Sequence, residues 1–129
     1  MRLMKTGLKF IDSAIKVVIA PESPVWKYHE MYDKYYYIYD QVNECKYWQL
    51  LRNGIGIWFT CNHWCIGDLK DKGTEKCIIK APGSSNQLPT ELQAKWLYWN
   101  PDTKEWIKAG NDIIVKFERA LPYNKDRIK

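Results

Sequence analysis

The sequence predicts a mainly β fold: an antiparallel meander, sandwich or small barrel of about eight or nine short strands, with one N-terminal helix. Three observations predict it. From Val25 onward, aromatic and β-branched runs alternate with turn residues at intervals of about 8–12 residues, the rhythm of an all-β domain. Aromatic residues reach 15% of the chain, with seven Trp and nine Tyr against three Phe. A strand–turn–strand pattern built around those rings recurs along the chain.

At the N-terminus, Met4, Leu8, Ile11, Ile15 and Val18 recur at spacings of 4, 3, 4 and 3, with Lys5, Lys9, Asp12 and Lys16 between them. That is the stripe of an amphipathic helix, suited to covering a core or docking on a partner. Pro21 and Pro24 bound it, and residues 1–23 are read as a segment distinct from a β domain over 24–121. Strands are expected at 25–28, 35–39, 46–51, 55–60, 64–67, 77–80, 95–99, 105–108 and 112–118. In the last, Ile113, Val115 and Phe117 share one face while Asp112, Lys116 and Glu118 take the other. Residues 82–91, with Pro, Gly, two Ser and Asn, read as loop, and 122–129 as a polar tail.

The repeat joins three stretches. Tyr35 to Tyr39, a turn and Tyr47-Trp48 match Trp96 to Trp99, a turn and Trp106, and Trp58 to Trp64 is a shorter version. Hairpins of this kind set rings opposite one another across strands, worth about 0.2–1 kcal/mol per pair.

The chain's 129 residues suffice for one core, and 46% hydrophobic with 27% charged residues is globular composition. No apolar run approaches the roughly 20 residues of a membrane-spanning helix. The first twenty residues begin basic, but Lys9, Asp12 and Lys16 interrupt the unbroken apolar run a signal peptide requires. An intracellular chain, in the cytoplasm or an organelle, is therefore expected, and the four cysteines make secretion the alternative.

Those cysteines, Cys45, Cys61, Cys65 and Cys77, admit three states: thiols buried as small hydrophobes, disulfides, or zinc ligands. Cys61, His63, Cys65 and Cys77 are the ligand set a zinc ion would draw on, although C-x3-C is a weaker signal than paired C-x2-C. No cofactor is otherwise expected. The G-x-S-x-G, P-loop, H-E-x-x-H and G-x-G-x-x-G signatures are all missing. His63 beside Asn62 reads as turn, and His29 as solvated. The expectation is a chain without catalytic activity.

The net charge of +5 is modest, and most lysines of the β region alternate with apolar positions, as on the wet face of a sheet. Only Arg52 and Arg119 fall within the β region, which disfavours base readout. Other protein chains of an assembly are the expected partners. They are met by Met4, Leu8, Ile11, Ile15 and Val18 and by the rings of Trp26, Trp99 and Trp106. Single-stranded nucleic acid or carbohydrate, held by exposed aromatics and lysines, is the alternative.

Several short motifs carry a family resemblance: Pro24-Val25-Trp26-Lys27, the run Tyr35 to Tyr39, Trp64-Cys65-Ile66-Gly67, Pro89, Trp96 with Tyr98 and Trp99, and Trp106 through Val115. Together they resemble a small secreted-type, Tyr/Trp-rich β module that recurs in animals, algae and protists and has no settled function. The likeness spans about residues 24–117. Residues 46–63 and the N-terminal helix have no counterpart in it. It implies a compact β fold used for binding or display, and it supplies no catalytic residues and no ligand.

Overall fold

A computed structural model describes residues 13–50 and 53–119. Nine antiparallel strands form one curled, half-barrel sheet. They are β1 (Ser13–Ile19), β2 (Asp33–Val42), β3 (Cys45–Leu50), β4 (Ile55–Thr60), β5 (His63–Asp68), β6 (Ile79–Pro82), β7 (Leu97–Asn100), β8 (Glu105–Lys108) and β9 (Ile113–Arg119). The order across the sheet is β8-β7-β6-β5-β4-β3-β2-β1-β9, so β2 through β8 run as a plain meander. Only β9 departs from sequence order, returning to pair with β1 along its full length.

The N-terminal helix is corrected over the residues described. Ile15 and Val18 stand in β1, which lies between β2 and β9 inside the sheet. In a strand they point to opposite faces: Ile15 is fully buried with Val17 and Ile19, whereas Val18 is half-buried. The docking stripe therefore does not exist at these two positions, and Ser13–Ile19 belongs with the β domain rather than with a separate N-terminal segment. The run Ile15, Val17, Val18, Ile19 is β-branched, and two flanking ladders settle what periodicity left ambiguous. Met4, Leu8 and Ile11 lie outside the described residues.

A second correction concerns 25–28, which is not a strand. Pro24–Met31 forms a 3-10 run whose first turn is closed by Ser23, its hydroxyl accepting from the Val25 amide at 3.1 Å. Ser followed by Pro is a helix-start signal, since the capped turn loses nothing by proline's missing N–H. Val25 and Met31 drop into the concave core, and the Tyr35 hydroxyl, itself buried, donates to the Met31 carbonyl at 2.7 Å.

The expected hairpins are present. Asn43-Glu44 and Cys61-Asn62 turn β2 into β3 and β4 into β5, and all four residues have φ between 45° and 66°. Two-residue turns of this left-handed kind match the twist of the strands they join. In the longer β7–β8 turn, the Asn100 side chain accepts from the Asp102 amide at 2.9 Å. Rings oppose each other in each hairpin: Tyr37 and Trp48 (6.1 Å), Phe59 and Trp64 (5.3 Å), Trp99 and Trp106 (5.4 Å).

The concave face holds the main core, with Ile15, Val17, Tyr35, Trp48, Ile57, Trp64, Ile66, Ile79, Ile113 and Val115 among its members. A smaller cluster lies on the outer face, where Tyr47, Trp58 and Cys65 pack with Ile38, Val42, Leu69 and Cys77. Its existence depends on Gly56 and Gly67, which stand directly opposite each other on β4 and β5. A Cβ on Gly56 would collide with the end of Leu69, and one on Gly67 would lie 3.0 Å from the Cys77 Cα. The paired glycines leave a trough into which the segment after β5 folds back.

Candidate functional site

Four tryptophans, Trp48, Trp58, Trp64 and Trp96, are at most 2% exposed. The remaining three are Trp26, Trp99 and Trp106, the same three that the sequence reading assigned to binding, and all are half-buried. Of the buried four, Trp48, Trp64 and Trp96 belong to the main core and Trp58 to the outer cluster.

Trp99 and Trp106 lie across from each other on β7 and β8, the hairpin that ends the sheet. Register places their neighbours. Lys80 is opposite Leu97, and Leu97 is opposite Lys108, so these three form the adjoining outer-face row. The Lys80 ammonium stands 4.3 Å from the centre of the Trp106 ring. The result is a plate of two indoles and a leucine bordered by two lysines, on a hairpin whose outer strand β8 has no neighbouring strand among those described.

The 3-10 run supports one margin of this plate. The Tyr28 hydroxyl donates to the Trp99 carbonyl at 2.7 Å, 71 residues away in sequence. Burial pushes the Tyr28 phenol above its ordinary pKa, with Tyr98 and Asp102 adding to the effect. The ammonium of Lys27 sits 5.7 Å from the Tyr28 ring. Trp26 is on the same run but makes different contacts, stacking on the His29 ring at 5.3 Å and meeting the edge of Tyr32 at 6.1 Å. Ring–lysine pairs recur elsewhere, with Lys16 near Tyr32 and Lys72 over Tyr47. Glu118 lies within 4.0 Å of both Lys16 and Lys34, so the charge around β1 is partly neutralised within the chain.

The proposed metal ligands separate into two places. Cys61 is exposed in the turn, and the His63 ring approaches the Cys61 carbonyl at 3.0 Å. Cys65 and Cys77 belong to the outer cluster, where Cys77 packs against the group formed by Tyr47, Trp58 and Cys65. Among the described residues, no three His, Cys, Asp or Glu side chains converge as a metal site requires. All four cysteines are unbridged. His29 is exposed, with its ring nitrogen 3.0 Å from the Trp26 carbonyl.

A groove of about 290 Å³ lies where the β2–β3 turn faces residues 85–88. Trp64 forms part of its wall and is fixed there by its indole N–H, which donates to the Gln87 carbonyl at 3.0 Å. Gln41, Glu44, Lys46, Ser85 and Asn86 make the groove polar.

Sequence reasoning identified the two indoles of the plate but not Lys80, Lys108 or Tyr28. Lys80 reads as one of many scattered lysines until the β6–β7 register is known, and Tyr28 was assigned to a strand that does not form. No helix among the described residues is long and apolar enough to cross a membrane. Comparison with protein-family models, with curated proteins and with solved structures returned no match.

Proposed function

We propose that this chain is a non-catalytic protein-interaction subunit that works inside a cell and docks an acidic surface of another chain onto its β6–β8 plate. The observation that carries this reading is the Trp99–Trp106 pair with Lys80 4.3 Å from one ring, on the terminal hairpin of the sheet. Indoles are the side chains that anchor interfaces, because they bury a large area at little cost in rotamer entropy. Flanking lysines add long-range attraction for carboxylates and speed the encounter, in keeping with the net charge of +5. The resemblance to Tyr/Trp-rich modules points towards binding or display as well.

A second reading rests on the same geometry. A cation beside a pair of adjacent, mutually tilted indoles is also what a single-strand nucleic-acid site can use, with bases on the rings and phosphates on the lysines. Sugars stack on indoles too. Titration with a poly-glutamate peptide, oligo-dT and a neutral oligosaccharide, followed by tryptophan fluorescence, separates the three. The protein reading expects saturable quenching by the peptide that weakens with salt and disappears in Trp106→Ala. Tighter binding of oligo-dT or of the sugar would transfer the assignment to that ligand. A Trp106→Ala variant that folds and binds the peptide unchanged would refute the plate.

A further inference from the structure

We propose that Cys65 and Cys77 are a redox-responsive dithiol, converted to a disulfide by a hydroperoxide. The two residues come from β5 and from the segment that leads into β6, twelve positions apart, and their side chains meet in the outer-face cluster with Trp58 and Tyr47. Each thiol is the largest influence on the other's ionisation. The approach is built into the backbone: Gly67 has no side chain where a Cβ would lie 3.0 Å from the Cys77 Cα and 3.1 Å from its Cβ. The Ile78 amide also donates to the Ile66 carbonyl at 3.2 Å, which ties the Cys77 segment to β5.

The two thiols are not equivalent. Cys65 is 1% exposed, whereas Cys77 is half-buried and so the more accessible of the two. The neighbouring Cys65 side chain favours the Cys77 thiolate most, against the cost of its burial, and the nearby charge of Lys80 adds to the effect. The same contact and burial hold the Cys65 thiol protonated, well above the ordinary thiol range. Cys77 is thus the attacking sulfur and Cys65 the resolving one.

The chemistry balances with a hydroperoxide as oxidant. The Cys77 thiolate attacks the distal oxygen of hydrogen peroxide, the O–O bond breaks, and hydroxide leaves and takes a proton to become water. Cys77 is then a sulfenic acid. The Cys65 sulfur, losing its proton, attacks the Cys77 sulfur and expels the sulfenic oxygen as a second water. Two thiols and one peroxide yield one disulfide and two waters. Lys80 is opposite Cys65 in register, its charge acts on the Cys77 thiol, and its ammonium stands 4.3 Å from the centre of the Trp106 ring, so oxidation alters the surroundings of a residue in the binding plate.

The test is intact mass and peptide mapping of the full chain after exposure to hydrogen peroxide under native conditions. The expected product is 2 Da lighter, with one cross-linked peptide pair joining Cys65 to Cys77. The Cys45→Ser/Cys61→Ser double variant should form the same bridge within about twofold of the parent rate, because neither thiol takes part. In Cys65→Ser the reaction should stop at Cys77 sulfenic acid, trapped by dimedone, and Lys80→Met should slow oxidation roughly fivefold. Circular dichroism verifies that each variant keeps its β spectrum. A bridge that involves Cys45 or Cys61, or oxidation confined to Cys61 while Cys65 and Cys77 remain thiols, overturns the proposal.

Discussion

Gly67→Ala is the substitution that most directly probes how the outer face is assembled. The added methyl would lie 3.0 Å from the Cys77 Cα, 3.1 Å from its Cβ and 3.3 Å from the tip of the Trp58 ring. Two of these atoms belong to the backbone or its immediate attachment, and Trp58 is fully buried, so no flexible side-chain end can swing aside. Gly56 differs, since its nearest obstacle is the movable end of Leu69. Forcing a methyl into a packed site costs about 1–3 kcal/mol. For a domain of this length each kcal/mol lowers the melting temperature by about 4 °C, so a loss of about 4–12 °C is expected. Thermal unfolding by far-UV circular dichroism in reducing buffer measures it. Gly54→Ala is the control: nothing lies within 4 Å of its added methyl, and only the φ of +65° is unfavourable. That change should cost about 1 kcal/mol. If Gly67→Ala melts within about 1 °C of the parent, the trough between the paired glycines is not as tight as described.

Other substitutions test separate parts of the fold. The buried Trp58 indole donates to the Thr74 carbonyl at 2.9 Å, whereas the Trp96 indole N–H is buried without a partner. Trp96→Phe removes an unsatisfied donor and should be at least about 1 kcal/mol less damaging than Trp58→Phe in denaturant unfolding. Tyr35→Phe strips the core hydrogen bond to the Met31 carbonyl and should cost about 1–2 kcal/mol, read in the same assay. The Gln93 amide donates to the Val115 carbonyl at 2.8 Å, covering part of edge strand β9. Gln93→Ala uncovers that carbonyl and should raise concentration-dependent self-association in light scattering while changing stability by less than about 1 kcal/mol.

Much of the sheet was legible because its signals are local. The strands at 55–60 and 105–108 match their predicted bounds, and 113–119 is displaced by one residue. Each has alternation or a turn residue beside it that needs no distant contact to act. The errors fall where local signals compete. A β-branched run carried a helical spacing by coincidence at 13–19, and a Ser-Pro cap overrode aromatic strand propensity at 24–31. In the site, Trp99 and Trp106 were legible because they belong to one hairpin. Lys80 and the pairing of Cys65 with Cys77 were not, because both depend on which strand lies beside which.

The sequence by itself determined that the chain is a sheet of hairpins with rings on both arms, although it read the third as Trp58 to Trp64 turning at Asn62-His63, where Phe59 faces Trp64 across Cys61-Asn62. Chain neighbours and side-chain alternation suffice for that, since the period of a strand and the geometry of a two-residue turn are properties of a few adjacent residues. Tertiary structure decided that β1 joins β2 to β9, that four indoles are buried while three reach the surface, and that two cysteines from different segments pack in one cluster. Those outcomes depend on the curl of the whole sheet and on a pair of glycines that open one face of it. No short stretch of sequence encodes a contact whose partner is brought near only when every strand between has paired.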